Sequence, residues 1–279
     1  MIVTWNIDAT STLPESRISA IISHILGLGP KVDVILLQEV SRAALAFLLS
    51  DSRIQDGWFS SEAGDTSWEG QSFASLTLMS RSRFAYTKDK SISSMGRLVL
   101  GPVWRVKYPS RFGRDALCCD IFINSSRIRL VNVHLDSLPI QPSQRPRQIA
   151  IVASLLRSAG CGLVAGDFNP VLPGDERLTQ ENHLVDVWDE LRPEESGFTW
   201  GVDGTEPFPP NRMDKIATLG LKAQSIDVMH PGFVSKTKGI GETKGEESVA
   251  TRKRDQESED VVPWSDHSGL KSSFRILGN

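Results

Sequence analysis

Short strand-like apolar runs recur from Ile2 to Ile276, and helix-periodic segments separate some of them but not others. Met1–Ile7 and Val32–Leu37 read as strands. Between them, Arg17–Leu28 puts Ile18, Ile21, Ile22 and Ile25 on one helical face. Gly29-Pro30 stops that helix, and Ser41 offers an N-cap for a short helix over Arg42–Leu49. Phe73–Met79, Ser94–Leu100, Trp104–Tyr108, Ala116–Ile123 and Ile128–His134 then follow as strands with no helix among them, the pattern of an antiparallel sheet. Ser143–Ser158 returns to a helical period through Ile149, Val152, Ala153 and Leu156, and Gly160 ends it. Gly162–Ala165, Phe198–Trp200, Met213–Thr218 and Gly269–Ile276 complete a second strand set. The pattern predicts two packed mixed or antiparallel sheets flanked by helices, an α/β sandwich forming one domain over residues 1–279.

Lys236–Asp260 breaks the pattern. It holds six Lys/Arg and seven Asp/Glu, with Gly and Ser and no aromatic, Leu or Met. Too little apolar surface is available there to offset the entropy of ordering, so residues 236–260 read as a disordered internal loop. Arg252-Lys253-Arg254 within it has the composition of a nuclear address, although a solvated loop is the simpler and favoured reading.

A net charge of −3 and a pI near 6.0 argue against a passive nucleic-acid coat, which needs Lys and Arg in excess. They leave room for an enzyme whose metal site gathers carboxylates. Cys118, Cys119 and Cys161 lack metal-ligand spacing and read as reduced thiols, which suits an intracellular protein, nuclear and/or cytoplasmic. No apolar run approaches the ~20 residues of a membrane span, and no secretory leader precedes the first strand.

Polar clusters stand at the ends of the apolar runs: Trp5-Asn6-Ile7-Asp8, Gln38-Glu39, Asn132-Val133-His134, Gly166-Asp167-Phe168-Asn169 and Ser265-Asp266-His267. Arg212-Met213-Asp214 precedes a further strand. Any one of them could be an ordinary strand-ending turn. Together they offer carboxylates, carboxamides and two histidines without a serine or cysteine triad, a set suited to a hard cation and a phosphate.

In their order along the chain, T-W-N-x-D, L-Q-E, N-x-H-L, G-D-x-N, R-x-D and S-D-H resemble the endonuclease/exonuclease/phosphatase superfamily, from Thr4 to Leu270. Within it, Thr4–Asp8, Leu37–Val40, His134–Ser137, Val185–Trp188, Phe198–Trp200 and Ser265–Leu270 look most like 5′-tyrosyl-DNA phosphodiesterases. Two places depart from that branch: Ala9-Thr10 stand where Gly-Leu is usual, and Pro170-Val171-Leu172 where Leu-Arg-Asp is usual. The resemblance implies a four-layer, DNase I-like sandwich and a Mg²⁺-dependent phosphodiesterase, with Mn²⁺ able to substitute. It implies that Glu39 holds the metal with Asp8 and Asp266, and that Asp167 activates water with Asn6 and Asn169 beside it. His134 and His267 would contact phosphate oxygens and Asp214 would orient a histidine ring. Ser137 and Trp200 would contact substrate, Trp200 being equally readable as a core aromatic. The partner implied is a nucleic-acid end, bound by a monomer away from membranes, in DNA repair. The alternatives are a general nuclease or RNA 3′-end phosphodiesterase, or a non-catalytic binding module.

Overall fold

The computed structural model describes residues 1–29, 31–86, 98–123, 126–236 and 260–275. The first apolar run becomes β1 (Ile2–Asn6), followed by α1 (Pro14–Leu26), β2 (Val34–Ser41) and α2 (Arg42–Ser50), which Ser41 caps through its hydroxyl. Then come α3 (Ser52–Gly57), β3 (Trp58–Ser60), β4 (Phe73–Ser80), β5 (Phe84–Ala85), β6 (Leu98–Lys107), β7 (Asp115–Ile123) and β8 (Ser126–His134). After α4 (Arg145–Ala159) and β9 (Gly162–Asp167) the chain forms α5 (Leu178–Glu181), β10 (Val185–Asp186), α6 (Val187–Leu191), β11 (Asp214–Leu219) and β12 (Lys222–Met229). It closes with β13 (Phe233–Ser235), β14 (Val261–Pro263) and β15 (Gly269–Arg275).

Among the described residues the main strands form two mixed sheets, ordered β12-β15-β1-β2-β4-β3 and β10-β11-β9-β8-β7-β6-β5. Side chains alternate across each strand, so one strand feeds two cores. Ile2, Val34 and Leu36 of the first sheet meet Leu130, Leu163 and Ile216 of the second. Val3, Trp5, Ile35 and Leu37 face the other way, under Ile18, Ile21 and Ile22 of α1. Val131, Val133 and Val164 likewise pack beneath Ile149, Val152 and Leu156 of α4. Helix, sheet, sheet, helix: the sandwich has four layers.

Several expectations need correction. Leu98–Leu100 and residues 104–107, from the runs predicted as Ser94–Leu100 and Trp104–Tyr108, belong to one strand, β6, whose register shift between Leu100 and Val103 absorbs the Gly101-Pro102 interruption; residues 94–97 lie outside those described. Phe198–Trp200 is no strand: Trp200 makes only isolated bridges to Asn211 and His267. β12 was not foreseen. The loop expected over 236–260 is bracketed by β13 and β14, paired antiparallel, and by Lys236 N–H donating to the Asp260 carbonyl at 2.8 Å. Residues 237–259 lie outside those described.

One edge of the sandwich collects the polar ends. It is formed by the C-terminal ends of β1, β2, β8 and β9. It also takes the N-terminal ends of their antiparallel neighbours β15, β4, β7 and β11. β8 and β9 run parallel with His134 level with Asp167. Gly166 makes that closeness feasible: its φ is +140°, and a Cβ there would lie 1.9 Å from the Val133 carbonyl oxygen.

Candidate active site

β2 ends in a bulge. Its register with β4 shifts between Leu37 and Val40, and Glu39 inside that step adopts φ +56°. A non-glycine residue in the left-handed region is held there by its surroundings. Asp8 (φ +51°) and Asn169 (φ +46°) share the conformation at the ends of β1 and β9. Strained backbone is thus gathered at the edge where the polar clusters meet.

Asn6 links the two sheets. Its Nδ2 donates to Glu39 Oε1 at 3.2 Å and to Asp167 Oδ2 at 2.9 Å, and its Oδ1 accepts the Asp8 N–H. Glu39 Oε2 accepts the Ala9 N–H at 3.0 Å. His134 Nε2 lies 3.5 Å from Asp167 Oδ2 and 3.8 Å from Glu39 Oε1, buried and without a hydrogen-bond partner. His267 places Nε2 3.9 Å from the same Asp167 oxygen, while its Nδ1–H donates to Asp214 Oδ2 at 2.8 Å. The second oxygen of Asp214 is buried and unpartnered. Ser265 Oγ donates to the Asn6 carbonyl at 2.6 Å, which ties the segment before β15 to the end of β1.

Electrostatics separates the two histidines. Burial, aided by the charges of Arg114 and His267, pushes His134 well below the ordinary imidazole value, so it is neutral at pH 7. Burial opposes the charge of His267 as well, but Asp214 at contact and Asp167 beyond it hold that ring well above the ordinary value. Asp167 is pushed up to about 7: burial is the chief cause, opposed by His267 and reinforced by Asp214. A raised carboxyl and a raised imidazole thus face each other 3.9 Å apart, the arrangement of an acid and a base in one cleft.

The remaining expected residues fall in three groups. Asn169 stays beside Asp167, its N–H donating to Asp167 Oδ1, but its Nδ2 is taken by the Leu135 carbonyl. Asp266 accepts from Trp200 Nε1 at 3.3 Å, and Trp200 is half-buried in a loop rather than packed as a core aromatic. Asp8, expected on the metal, directs its carboxylate to its own loop and to Arg17, while its N–H donates to Asn6 Oδ1. Its oxygens accept from Thr10, Ser11 and Arg17, and those hydrogen bonds outweigh burial to keep the carboxyl below its usual range. Its work is to shape the loop after β1.

Ser137 accepts from Arg114 Nη2 at 3.4 Å, and Arg114 is the site residue that sequence reading missed. Its guanidinium stacks 4.8 Å from the Phe73 ring, and its buried Nε has no partner. Burial lowers its pKa while Glu39 and Asp167 act against that, which sets the cation within reach of both carboxylates. The missing signal was topological. β7 is antiparallel to β8, so the turn before Asp115 must lie at the edge where His134 ends β8.

Among the described residues no three of His, Cys, Asp and Glu close around a point as a metal cage would require. The donors present fit a different ion. Glu39 and its neighbours offer oxygen atoms from few side chains, which matches Mg²⁺, since that ion keeps several waters and takes one or two carboxylates with substrate phosphate.

By sequence, no protein-family model and no curated protein matches the chain. By structure, it is similar to D. rerio TDP2 complexed with a single-strand DNA product, at 19% identity, 99% and 98% coverage of the two chains, and a TM-score of 0.65. Truncated Caenorhabditis elegans TDP2 is similar at 18% identity, 99% and 97% coverage, and a TM-score of 0.66. An endonuclease/exonuclease/phosphatase from Bacteroides vulgatus is similar at 12% identity, 99% and 98% coverage, and a TM-score of 0.60. The chain shares the four-layer α/β sandwich fold of these structures. The four-layer expectation is met, as is the likeness to TDP2. Within the described residues no helix is long and apolar enough to cross a membrane.

Proposed function

We propose that this chain is a Mg²⁺-dependent phosphodiesterase acting at nucleic-acid ends, with 5′-tyrosyl-DNA adducts as its substrate class and DNA repair as its setting. The observation that carries the reading is the bridge from Glu39 through Asn6 to Asp167, with His134 and the Asp214–His267 pair converging on one Asp167 oxygen. Two sheets deliver carboxylate, carboxamide, neutral imidazole and imidazolium to one point, and phosphodiester hydrolysis uses each.

Asp167, ionised and oriented by Asn6 and the Asn169 N–H, takes the proton of an attacking water. His267 is kept charged by Asp214 and donates from Nε2 to a non-bridging phosphate oxygen. His134 donates as a neutral ring, and Arg114 adds a second cation next to Ser137. Glu39 would hold the metal with Asp266 supporting that side; a bound Mg²⁺ supplies Lewis-acid stabilisation of the phosphate charge. Trp200 offers its flat, half-exposed ring to the substrate. The likeness to TDP2 supports the tyrosyl-DNA choice, as do the motifs His134–Ser137 and Phe198–Trp200.

A panel of 5′-tyrosyl, abasic, 3′-phosphoglycolate and polyadenylate oligonucleotides, each with and without Mg²⁺, tests the reading. Cleavage of the 5′-tyrosyl substrate with the largest kcat/KM is the expected result. Preference for polyadenylate would transfer the chain to RNA 3′ ends.

A further inference from the structure

The largest fully buried polar side chains are two arginines, Arg17 and Arg145. A buried guanidinium is costly unless its donors are satisfied, so where each is satisfied shows what it holds. Arg17 projects from the first turn of α1, a helix whose buried face is otherwise isoleucine. Its Nη1 donates to the Asp8 carbonyl at 2.9 Å and its Nη2 to the Ile7 carbonyl at 2.9 Å and Asp8 Oδ2 at 3.3 Å. On the far side its Nε donates to the Pro263 carbonyl at 3.1 Å. One fork thus grips two chain segments some 250 residues apart.

Both segments carry site residues. The Ile7–Ala9 loop supplies the N–H that fixes Glu39 Oε2 and the N–H that fixes Asn6 Oδ1. Pro263 lies just before Ser265, whose hydroxyl holds the Asn6 carbonyl and accepts the His267 N–H at 3.0 Å. Moving either segment changes the separation of Glu39 from His267, and the buried Arg17 fork touches both, beside the Ser265–Asn6 and Trp5–His267 hydrogen bonds. Asp8 gains its purpose here: with Thr10 and Ser11 on one side of its carboxylate and Arg17 on the other, it anchors the loop to the fork.

We propose that Arg17 is a positioning residue, which through its planar fork sets Glu39 for the metal and fixes its distance from the His267 segment. The inference rests on the metal-dependent reading above. Lysine keeps the charge but lacks the fork, so Arg17→Lys separates geometry from electrostatics. Outer groups that orient metal ligands typically contribute ~10–100-fold in metal affinity. Arg145 provides the control. It is as deeply buried, and it ties Asp175 to the Asp136 and Leu138 carbonyls in the segment after β8 without touching the Glu39 loop.

The experiment is a direct Mn²⁺ binding titration on the full chain without substrate, with melting temperature and steady-state kinetics on each variant. Arg17→Lys is expected to weaken Mn²⁺ binding at least ~10-fold and to lower kcat. Arg145→Lys is expected to lower the melting temperature by a similar amount while binding Mn²⁺ within twofold of the unaltered protein. If Arg17→Lys does not fold, the surface variant Thr10→Val/Ser11→Ala loosens the same loop, and a smaller loss in the same direction is expected. Unchanged Mn²⁺ affinity in both Arg17→Lys and the loop variant overturns the proposal, as does an equal loss in Arg145→Lys. An unaltered protein that binds no Mn²⁺ overturns the metal-dependent reading instead, and the Arg17 role with it.

Discussion

Removing the charge of Asp167 should stabilise the fold while disabling the reaction. Asp167 is about 1% exposed, and its carboxyl is moved from the ordinary 3.8 to about 7. At ~1.4 kcal/mol per tenfold change in proton affinity, the cost of holding it ionised has an upper bound of about 4 kcal/mol. That figure already includes the opposing charge of His267, and relaxation around the buried carboxyl reduces it further. In Asp167→Asn the amide oxygen can still accept the Asn169 N–H, but its NH₂ then meets Asn6 Nδ2, and one lost hydrogen bond costs ~1 kcal/mol. A net gain of about 1–2 kcal/mol remains, which for a domain of this size raises the melting temperature by roughly 2–6 °C. Between pH 4 and pH 7 the folded carboxyl holds a proton that the unfolded one has lost, so the stability of the unaltered protein falls as pH rises through that window. The advantage of Asp167→Asn should therefore be absent near pH 4 and complete above pH 7. Calorimetry without metal across that range, alongside an expected ~10²–10⁴-fold loss in kcat, measures both sides. A variant that melts lower at pH 8 than the unaltered protein would refute the reasoning and make Asp167 a structural acceptor.

Chelation should abolish turnover and leave the circular dichroism unchanged, because a largely hydrated ion adds little to folding; unfolding would contradict this. Asp214→Asn removes the charge that holds His267 protonated, so the alkaline limb of the kcat/KM profile should move to lower pH; an unmoved limb assigns it to another group. Trp200→Ala should lose roughly tenfold in kcat/KM on a 5′-tyrosyl oligonucleotide and little on a small activated phosphodiester, since aromatic contacts are worth ~0.5–1.5 kcal/mol beyond area. Equal losses on both would remove the tyrosyl preference. Arg114→Ala should raise KM on every phosphodiester tested, and an unchanged KM would remove the cation from the phosphate site.

Asn6, Glu39, His134 and Asp167 were legible because each is a polar residue at the end of a continuous apolar run, and such a residue stands out against its strand. Arg114 was not legible, since Ser110-Arg111-Phe112-Gly113-Arg114 reads as an exposed turn until strand order shows which edge it joins. β12 escaped because its register shift between Ala223 and Ser225 breaks the two-residue alternation of Lys222–Met229. Asp8 was legible as important, but its contacts were not. Its spacing from Asn6 is visible in the sequence, whereas the hydroxyls of Thr10 and Ser11 that occupy it come from a loop conformation that spacing does not encode.

β15 lies inside the first sheet, between β12 and β1, and the Trp5 indole N–H donates to the His267 carbonyl across 262 residues. While β15 is unpaired, Asn6, Glu39, His134, Asp167 and Asp214 can already stand on their strands, yet β1 lacks its neighbour and the cluster lacks His267 and the Ser265 hydroxyl that holds the end of β1. Peeling β15 off the first sheet would therefore dismantle the cluster while the second sheet stayed paired.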